Sequence, residues 1–450
     1  MLKRLSAIIL LITVLFFSSR VFSQGLGLEQ VIREVCTKSD SAKMMQESLI
    51  KSDQLIREKW SNAFPTISAA INGGRSVSNL ASTMPSITKM MPQGMSTIND
   101  VTRYSTAIDI TQPIFTFGKI GTAIEVANHF NKSAKSSFNR NIQQLQLLAL
   151  DAFYWVVLTD IALDIAKRSF ARKKERYEFL DRNFKLGSGS KAQILATKAD
   201  LKAQVPDIFK AEEDLLKARM TLNMLMGRSL MDSVQLDTAA GVQGLLSIAI
   251  PGEKEAVQAA LDKRQDLRTI DFLAEANRGG AKIYNAMYLP SIAATGSFGT
   301  VGTDPRDMTD WNNKNWTVGI GLRWTLFDGF ANNSLSRQYR SDARKLEIVH
   351  NAIAKTVEIE VSIALIECTA ADSNLAATEE VLAAARESYT LTDDNFKQGS
   401  GQFADLQLAE ERLRQAEMGT VNARYRLVRS RADLLVKMGK DIVKIYEEEK

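Results

Sequence analysis

The chain has 450 residues, a formal net charge of +5, two histidines and two cysteines. Charges of both signs interleave along it, which describes solvated helical faces and excludes a nucleic-acid footprint. His129 and His350 lie far from any cysteine or patterned carboxylate pair, and no zinc spacing, nucleophile elbow or phosphate loop occurs; catalytic, cofactor-binding and metal-binding residues are each expected to be none.

The chain opens on Lys3 and Arg4, continues with an apolar run from Ala7 to Phe17, and reaches the small residues Ser18, Ser19, Val21 and Ser23. Residues 1–23 are therefore expected to be a cleaved signal peptide, the run being too short for a retained transmembrane helix. No later stretch approaches the roughly 18 to 20 apolar residues of a spanning helix. Only helices and closed barrels satisfy every backbone polar group in lipid, so the exported chain is either soluble or part of a β-barrel.

The remainder is a tandem repeat. Asp181 to Gly189 (DRNFKLGSG) returns as Asp393 to Gly401 (DDNFKQGSG), and the same offset of 212 carries Phe115 onto Phe327 and Leu222 onto Leu434. It also carries Met226 and Gly227 onto Met438 and Gly439. Upstream the offset is 225, with Phe64 and Pro65 mapping to Leu289 and Pro290. Repeat one therefore has the longer connection between its two strands, and such insertions settle in exposed loops.

Each repeat predicts a helix, two strands, a very long helix, a glycine turn and a returning helix. Repeat one (24–227) should hold a helix over 28–60, a strand opening at Pro65, a strand over 101–115, a helix over 119–186 and a return over 191–226. The connector 228–250 leads to repeat two (251–439), with a helix over 253–288, strands after Pro290 and before Phe327, a helix over 331–398 and a return over 402–438. Residues 440–450 form a C-terminal tail.

The strand before Phe327 is the clearest. Trp316, Val318, Ile320, Leu322, Trp324 and Leu326 alternate with Asn315, Thr317, Gly319, Gly321, Arg323 and Thr325. One face is apolar with a tryptophan near each end and the other is polar or glycine, which is the pattern of a membrane-barrel strand. Tyr104, Thr106, Ile108 and Ile110 alternate similarly with Arg103, Ser105, Ala107, Asp109 and Thr111. A soluble sandwich strand has the same period; the signal peptide and the helix lengths favour the membrane. Four strands fall short of the roughly eight that close a barrel in lipid, so the chain must oligomerise.

The helix over 119–186 would be about 100 Å long at 1.5 Å per residue. The two shorter helices of each repeat together equal one long one, which implies a helical wall of uniform length. Leu145, Leu148, Ala152, Trp155, Val156 and Thr159 form the packing stripe. Pro206 should kink the first return helix, as a hinge or as a plain break. Gly279 and Gly280 should interrupt the second-repeat helix. Cys36 and Cys368 read as small buried residues, with a disulfide possible in an oxidising compartment. Met84, Met90, Met91 and Met95 crowd the longer strand connection, more as an exposed loop than as a soft-metal site.

The tandem repeat, the Phe-Pro or Leu-Pro before a strand, the Pro-Ile-Phe and Leu-Phe-Asp-Gly ends of the second strands, and the doubled Asn-Phe-Lys-x-Gly turn resemble the TolC-like outer-membrane efflux protein family. The resemblance implies an α+β membrane protein: a homotrimer whose 12-stranded barrel, four strands per chain, continues as a long α-helical coiled-coil tunnel. It implies location in the outer membrane, with lipid around the barrel and the helical part in the periplasm. It further implies a periplasmic adaptor (membrane fusion) protein and an inner-membrane pump as partners, and no cofactor. The chain would then be a passive exit duct of an efflux or type I secretion system, and not an enzyme.

Carried onto this sequence, the tips that contact the adaptor are Leu186, Gly187 and Ser188 with Gln398, Gly399 and Ser400. Short antiparallel turns of this kind need glycine for left-handed backbone angles. Asp405 fits the position of a gate acid, three copies of which would make a cation-attracting ring. Leu408 stands where a second acid is expected, and Gln193 is the first-repeat counterpart of Asp405. The other reading of Asp405 is a solvated surface acid beside Glu410 and Glu411. A β-anchored helical surface protein without transport would leave the duplicated turns and spread-out strands unexplained.

Overall fold

The computed structural model describes residues 25–79, 98–187, 190–237, 245–246 and 249–444. The expected signal peptide, the four loop methionines and Ser188 lie outside the described residues. The elements come in two matching sets. The first is α1 (Leu28–Lys38), α2 (Asp40–Ser61), β1 (Thr66–Asn79), β2 (Ile98–Phe115), α3 (Lys119–Lys185) and α4 (Lys191–Leu225). The second is α5 (Glu253–Lys263), α6 (Gln265–Ala286), β3 (Ser291–Gly302), β4 (Lys314–Arg323), α7 (Ala331–Lys397) and α8 (Phe403–Lys437). Both long helices have 67 residues and both returns have 35.

Four expectations need correction. The helix opening each repeat is two helices, broken at Ser39 and at Arg264, where the backbone turns extended. Ser39 Oγ accepts from the Ala42 amide at 3.1 Å and so caps α2, and Asp266 accepts from the Leu267 amide at 3.0 Å. Such caps satisfy amides that a helix start leaves open. Second, β4 stops at Arg323, which pairs with Ser291, the first residue of β3. Pro290 precedes it and has no N–H for a further rung, so Trp324 and Leu326 lie outside the strand, and the Trp324 indole donates to the Tyr288 carbonyl at 2.9 Å. Third, of the two readings of Pro206 the plain break falls, since α4 runs through it without ending. Fourth, α6 runs through Gly279 and Gly280; a Cβ on Gly280 would lie 2.7 Å from the Tyr339 ring of α7, so this glycine serves close helix packing.

The chain forms two compact units, and each draws on both repeats. Of the described residues, the first takes those within 25–48, 136–267 and 351–444, and the second those within 49–135 and 268–350. In the first unit Leu28, Val31, Ile32 and Val35 of α1, at helical spacing, share one buried cluster with Leu145, Ala149, Leu150 and Phe153 of α3. Leu222 of α4 and Leu435 of α8 complete it. Each of the valine, leucine, isoleucine and phenylalanine side chains contributes about 1.5 to 3 kcal/mol by leaving water. Ala256 and Ala260 of α5 join Val357, Val361 and Cys368 of α7 in a second cluster. Cys36 and Cys368 are both free thiols. Burial pushes the Cys36 thiol up to about 12, which keeps it protonated and unreactive.

The glycines after α4 and α8 belong to the same construction. Gly227 and Gly439 have φ of +68° and +74°, and a Cβ on either would lie within 3 Å of backbone atoms of Lys38 or Lys263. Each return helix therefore ends against the break in its repeat's first helix pair.

The second unit contains one antiparallel sheet in the order β1-β2-β3-β4. Its register sets Ile67 opposite Ile110, Ile108 opposite Phe298, and Phe298 opposite Trp316. Among the described residues, only one edge of β1 and one edge of β4 are paired. The strand-to-helix turns use two successive left-handed residues, Phe117 and Gly118 before α3, then Gly329 and Phe330 before α7. Beside the sheet, Asn131 of α3 donates to Ser52 and Asp53 of α2 at 2.9 and 2.6 Å, and Tyr284 stacks on Tyr339 at 5.3 Å.

Candidate functional site

The period-two alternation of β4 projects Trp316, Val318, Ile320 and Leu322 from one face, and all four are exposed. Ile67, Ile71, Ile108, Ile110 and Phe298 extend that exposed apolar face across β1, β2 and β3. A contiguous face of this kind marks a surface made for a membrane or a partner. The opposite face carries Thr317 and Gly319 of β4, whose register partners are Ser297 and Thr295. On the same side Asp109 of β2 stands between Ser68 and Ser297. One side is apolar, and the other is lined by hydroxyls and glycine. Among the described residues no helix is long and apolar enough to cross a membrane, and no group of three or more His, Cys, Asp or Glu side chains could hold a metal ion.

The two glycine turns are built alike. Gly187 has φ +86° and donates to the Phe184 carbonyl at 3.0 Å; Gly399 has φ +80° and donates to the Phe396 carbonyl at 3.1 Å. Leu186 is 83 % exposed. The Gln398 amide closes on Asp394 at 3.0 Å, and Ser400 bonds the Asn395 carbonyl through both its amide and its hydroxyl. Asp405 lies in the first turn of α8, exposed and without an ion pair among the described residues. Leu408 is half exposed on the same helix.

Glu410 does not belong to a solvated acidic face. It is only 3 % exposed, accepts hydrogen bonds from Arg176 at 2.7 Å and the Ser169 hydroxyl at 3.4 Å, and forms an ion pair with Arg172 at 3.5 Å. Farther along, Arg168 reaches Glu417 at 3.3 Å, and Arg172 lies over the Tyr389 ring at 5.7 Å. Three arginines at four-residue spacing on α3 thus face two buried carboxylates on α8, in antiparallel order. Sequence reasoning missed this ladder, whose only signal was the Arg168, Arg172, Arg176 row on one helix face. Burial of the acids depends on which helix lies opposite, and local pattern does not carry that.

The model of the outer membrane efflux protein family matches residues 43–228 and 256–440, one segment in each half. Outer membrane protein TolC of Vibrio cholerae serotype O1 is 22 % identical over 315 residues, covering 67 % of this chain and 69 % of that protein. Among solved structures, the Campylobacter jejuni CmeC outer membrane channel superposes with a TM-score of 0.76 at 14 % identity, covering 94 % of this chain and 89 % of that one. The outer membrane protein VceC from Vibrio cholerae gives 0.72 at 14 % identity, covering 92 % and 96 %. At this identity the likeness shows a shared fold, in which a sheet of four antiparallel strands is joined to long helices. The chain belongs to the outer membrane efflux protein family, and it is an efflux duct of the outer membrane whose helices lie in the periplasm.

Proposed function

We propose that three copies of this chain form a passive duct, without chemistry of its own, that receives solutes from an inner-membrane pump through a periplasmic adaptor protein. The observation that carries the reading is the sheet itself: an exposed apolar row to which every strand contributes, and two outer strands each with an edge that is free among the described residues. A free edge is a template for further pairing, and three copies of four strands pass the roughly eight needed for closure in lipid. Trp316, Val318, Ile320 and Leu322 face the acyl chains. Trp324 and Leu326, exposed beyond the strand end, meet the periplasmic interface, where indole rings are favoured.

The adaptor contacts Leu186, Gly187, Ser188, Gln398, Gly399 and Ser400 at the two turns. Exposed Leu186, Leu195, Leu391 and Leu408 give this end apolar surface for a helical partner. Asp405 is the gate acid; three copies about an axis attract cations, and Asp405→Asn should shift the reversal potential of the reconstituted duct toward anions. Deleting the gene should raise cellular retention of dyes and toxic solutes, and Leu186→Asp should fail to restore export while still assembling. Unchanged retention across a broad panel would overturn the efflux reading for the cell. A stable monomer in mild detergent would overturn the trimer.

A further inference from the structure

The turn between β3 and β4 does something the strands alone do not. The strand ends joined to helices share one end of the sheet, since Thr66 pairs with Thr111 and Ser291 with Arg323. The β3–β4 turn, residues 303–313, therefore lies at the other end, toward the cell exterior. It holds two short 3-10 helices, Pro305–Met308 and Trp311–Asn313. Trp311 packs at 5.8 Å from Phe298, and Phe298 sits in register with Trp316. The Trp311 and Phe298 rings thus form an aromatic plate on the side that carries the exposed apolar row, with Trp316 at the neighbouring register position.

We propose that this plate is a membrane anchor: the turn folds back over the apolar face and seats Trp311, with Phe298 and Trp316, in the outer interface of the bilayer. The proposal rests on the reading that the exposed row of β4 meets lipid. Three further observations support it. Trp311 is 68 % exposed and Trp316 is 71 % exposed, and the Trp311 indole N–H has no hydrogen-bond partner among the described residues. An indole with an apolar body and an unused donor suits the boundary between acyl chains and headgroups.

The turn is also built before any lipid arrives. Asp304 and Asp307 cap each other's backbone, Thr300 Oγ1 donates to the Met308 carbonyl at 2.8 Å, and Asp310 accepts the Asn312 amide at 3.0 Å. Ordering the turn on binding therefore costs little. Finally, the spacing fits. Trp316 and Trp324 are eight residues apart, about 27 Å of extended chain, or roughly 21 Å of height at a strand tilt of about 40°, approaching the roughly 25 Å apolar band of a membrane barrel. Trp324 then marks the inner boundary and the Trp311 plate the outer one. Lys314 pairs with Thr300 two residues beyond Trp316 on the same face, at the level where a cation reaches headgroup phosphates.

The chain has five tryptophans, which makes the test direct. One variant keeps only Trp311 (Trp60→Phe, Trp155→Phe, Trp316→Phe, Trp324→Phe), and a second keeps only Trp316 (Trp311→Phe replacing Trp316→Phe). Each is reconstituted as heat-resistant oligomer into vesicles of ordinary or acyl-brominated phosphatidylcholine. Both should lose most of their emission in the brominated vesicles. If Trp316 is quenched and Trp311 is not, the anchor is overturned while the lipid-facing row stands. If neither is quenched, the lipid-facing row falls and the anchor with it. Protection of Trp311 from aqueous iodide without quenching by bromine would place the plate against another protein copy, which also overturns the anchor. Should the single-tryptophan chain fail to assemble, Trp311→Cys with Cys36→Ser and Cys368→Ser takes a nitroxide label. Greater relaxation by oxygen than by a water-soluble nickel complex then supports the anchor, and the reverse overturns it.

Discussion

Removing the Glu410 carboxylate strands the Arg176 guanidinium, whose only ion pair among the described residues is there and which is itself buried. An unpaired buried charge of this kind costs about 3 to 5 kcal/mol, so Glu410→Ala should lower the thermal stability of the assembly sharply. Replacing both partners, Glu410→Leu with Arg176→Met, should restore most of the loss, because the penalty belongs to the stranded charge. If the double variant is as unstable as the single one, the ladder contributes net attraction. Glu34 tests the opposite, pH-dependent case. Its hydrogen bond from Arg228 at 2.6 Å holds its carboxyl below the ordinary 4.5, with Lys38 assisting at 2.8 Å. A depressed folded value means that the stabilisation is complete above pH 4.5 and fades as pH falls through the folded value. The difference in melting temperature between wild type and Glu34→Gln should therefore be present at neutral pH and close as the medium becomes acid.

At the scale of elements, the glycines of the turns and of the joints should part company on substitution. Gly399→Ala meets a left-handed backbone but open space, so its cost is the conformational one, about 1 to 2 kcal/mol. Gly439→Ala meets the same backbone penalty and also the carbonyl carbon of Lys263 at 2.9 Å. Backbone cannot yield as a side chain can, so the melting-temperature loss should be clearly larger than for Gly399→Ala. The doubled turn and the two equal long helices were legible in the sequence, because periodicity over dozens of residues and repeated glycines are local signals. The joints were not. Leu28 to Val35 keeps its helical period up to the break, and neither Ser39 nor Arg264 is a residue that stops helices by itself. The break at Ser39 is where the backbone of Gly227, after α4, comes close to Lys38, an approach across 189 positions that no window of local sequence contains. The early end of β4 has a similar origin: alternation continues to Leu326, but the partner strand begins only at Ser291, after a proline.

For the whole molecule, the proposed duct requires adjacent residues of one strand to meet different solvents. Ile320 stands in the middle of the apolar row, and Gly319 beside it points to the hydroxyl-lined side opposite Thr295. An arginine on the lipid face near the bilayer midplane costs about 2 to 4 kcal/mol, and a trimer repeats that cost at three sites. Ile320→Arg should therefore deplete the heat-resistant oligomer from the outer-membrane fraction. Gly319→Arg places the same side chain in a water-filled interior: a Cβ there has only the Thr295 hydroxyl near it, at 3.9 Å. It should assemble normally and move the reversal potential toward anions, because three added charges line the path. Equal loss of both variants would mean that the sheet tolerates no arginine at all, and equal tolerance would mean that the apolar row does not touch lipid. Only the split outcome, assembly lost at 320 and selectivity changed at 319, fits a sheet with lipid on one face and the exported solute on the other.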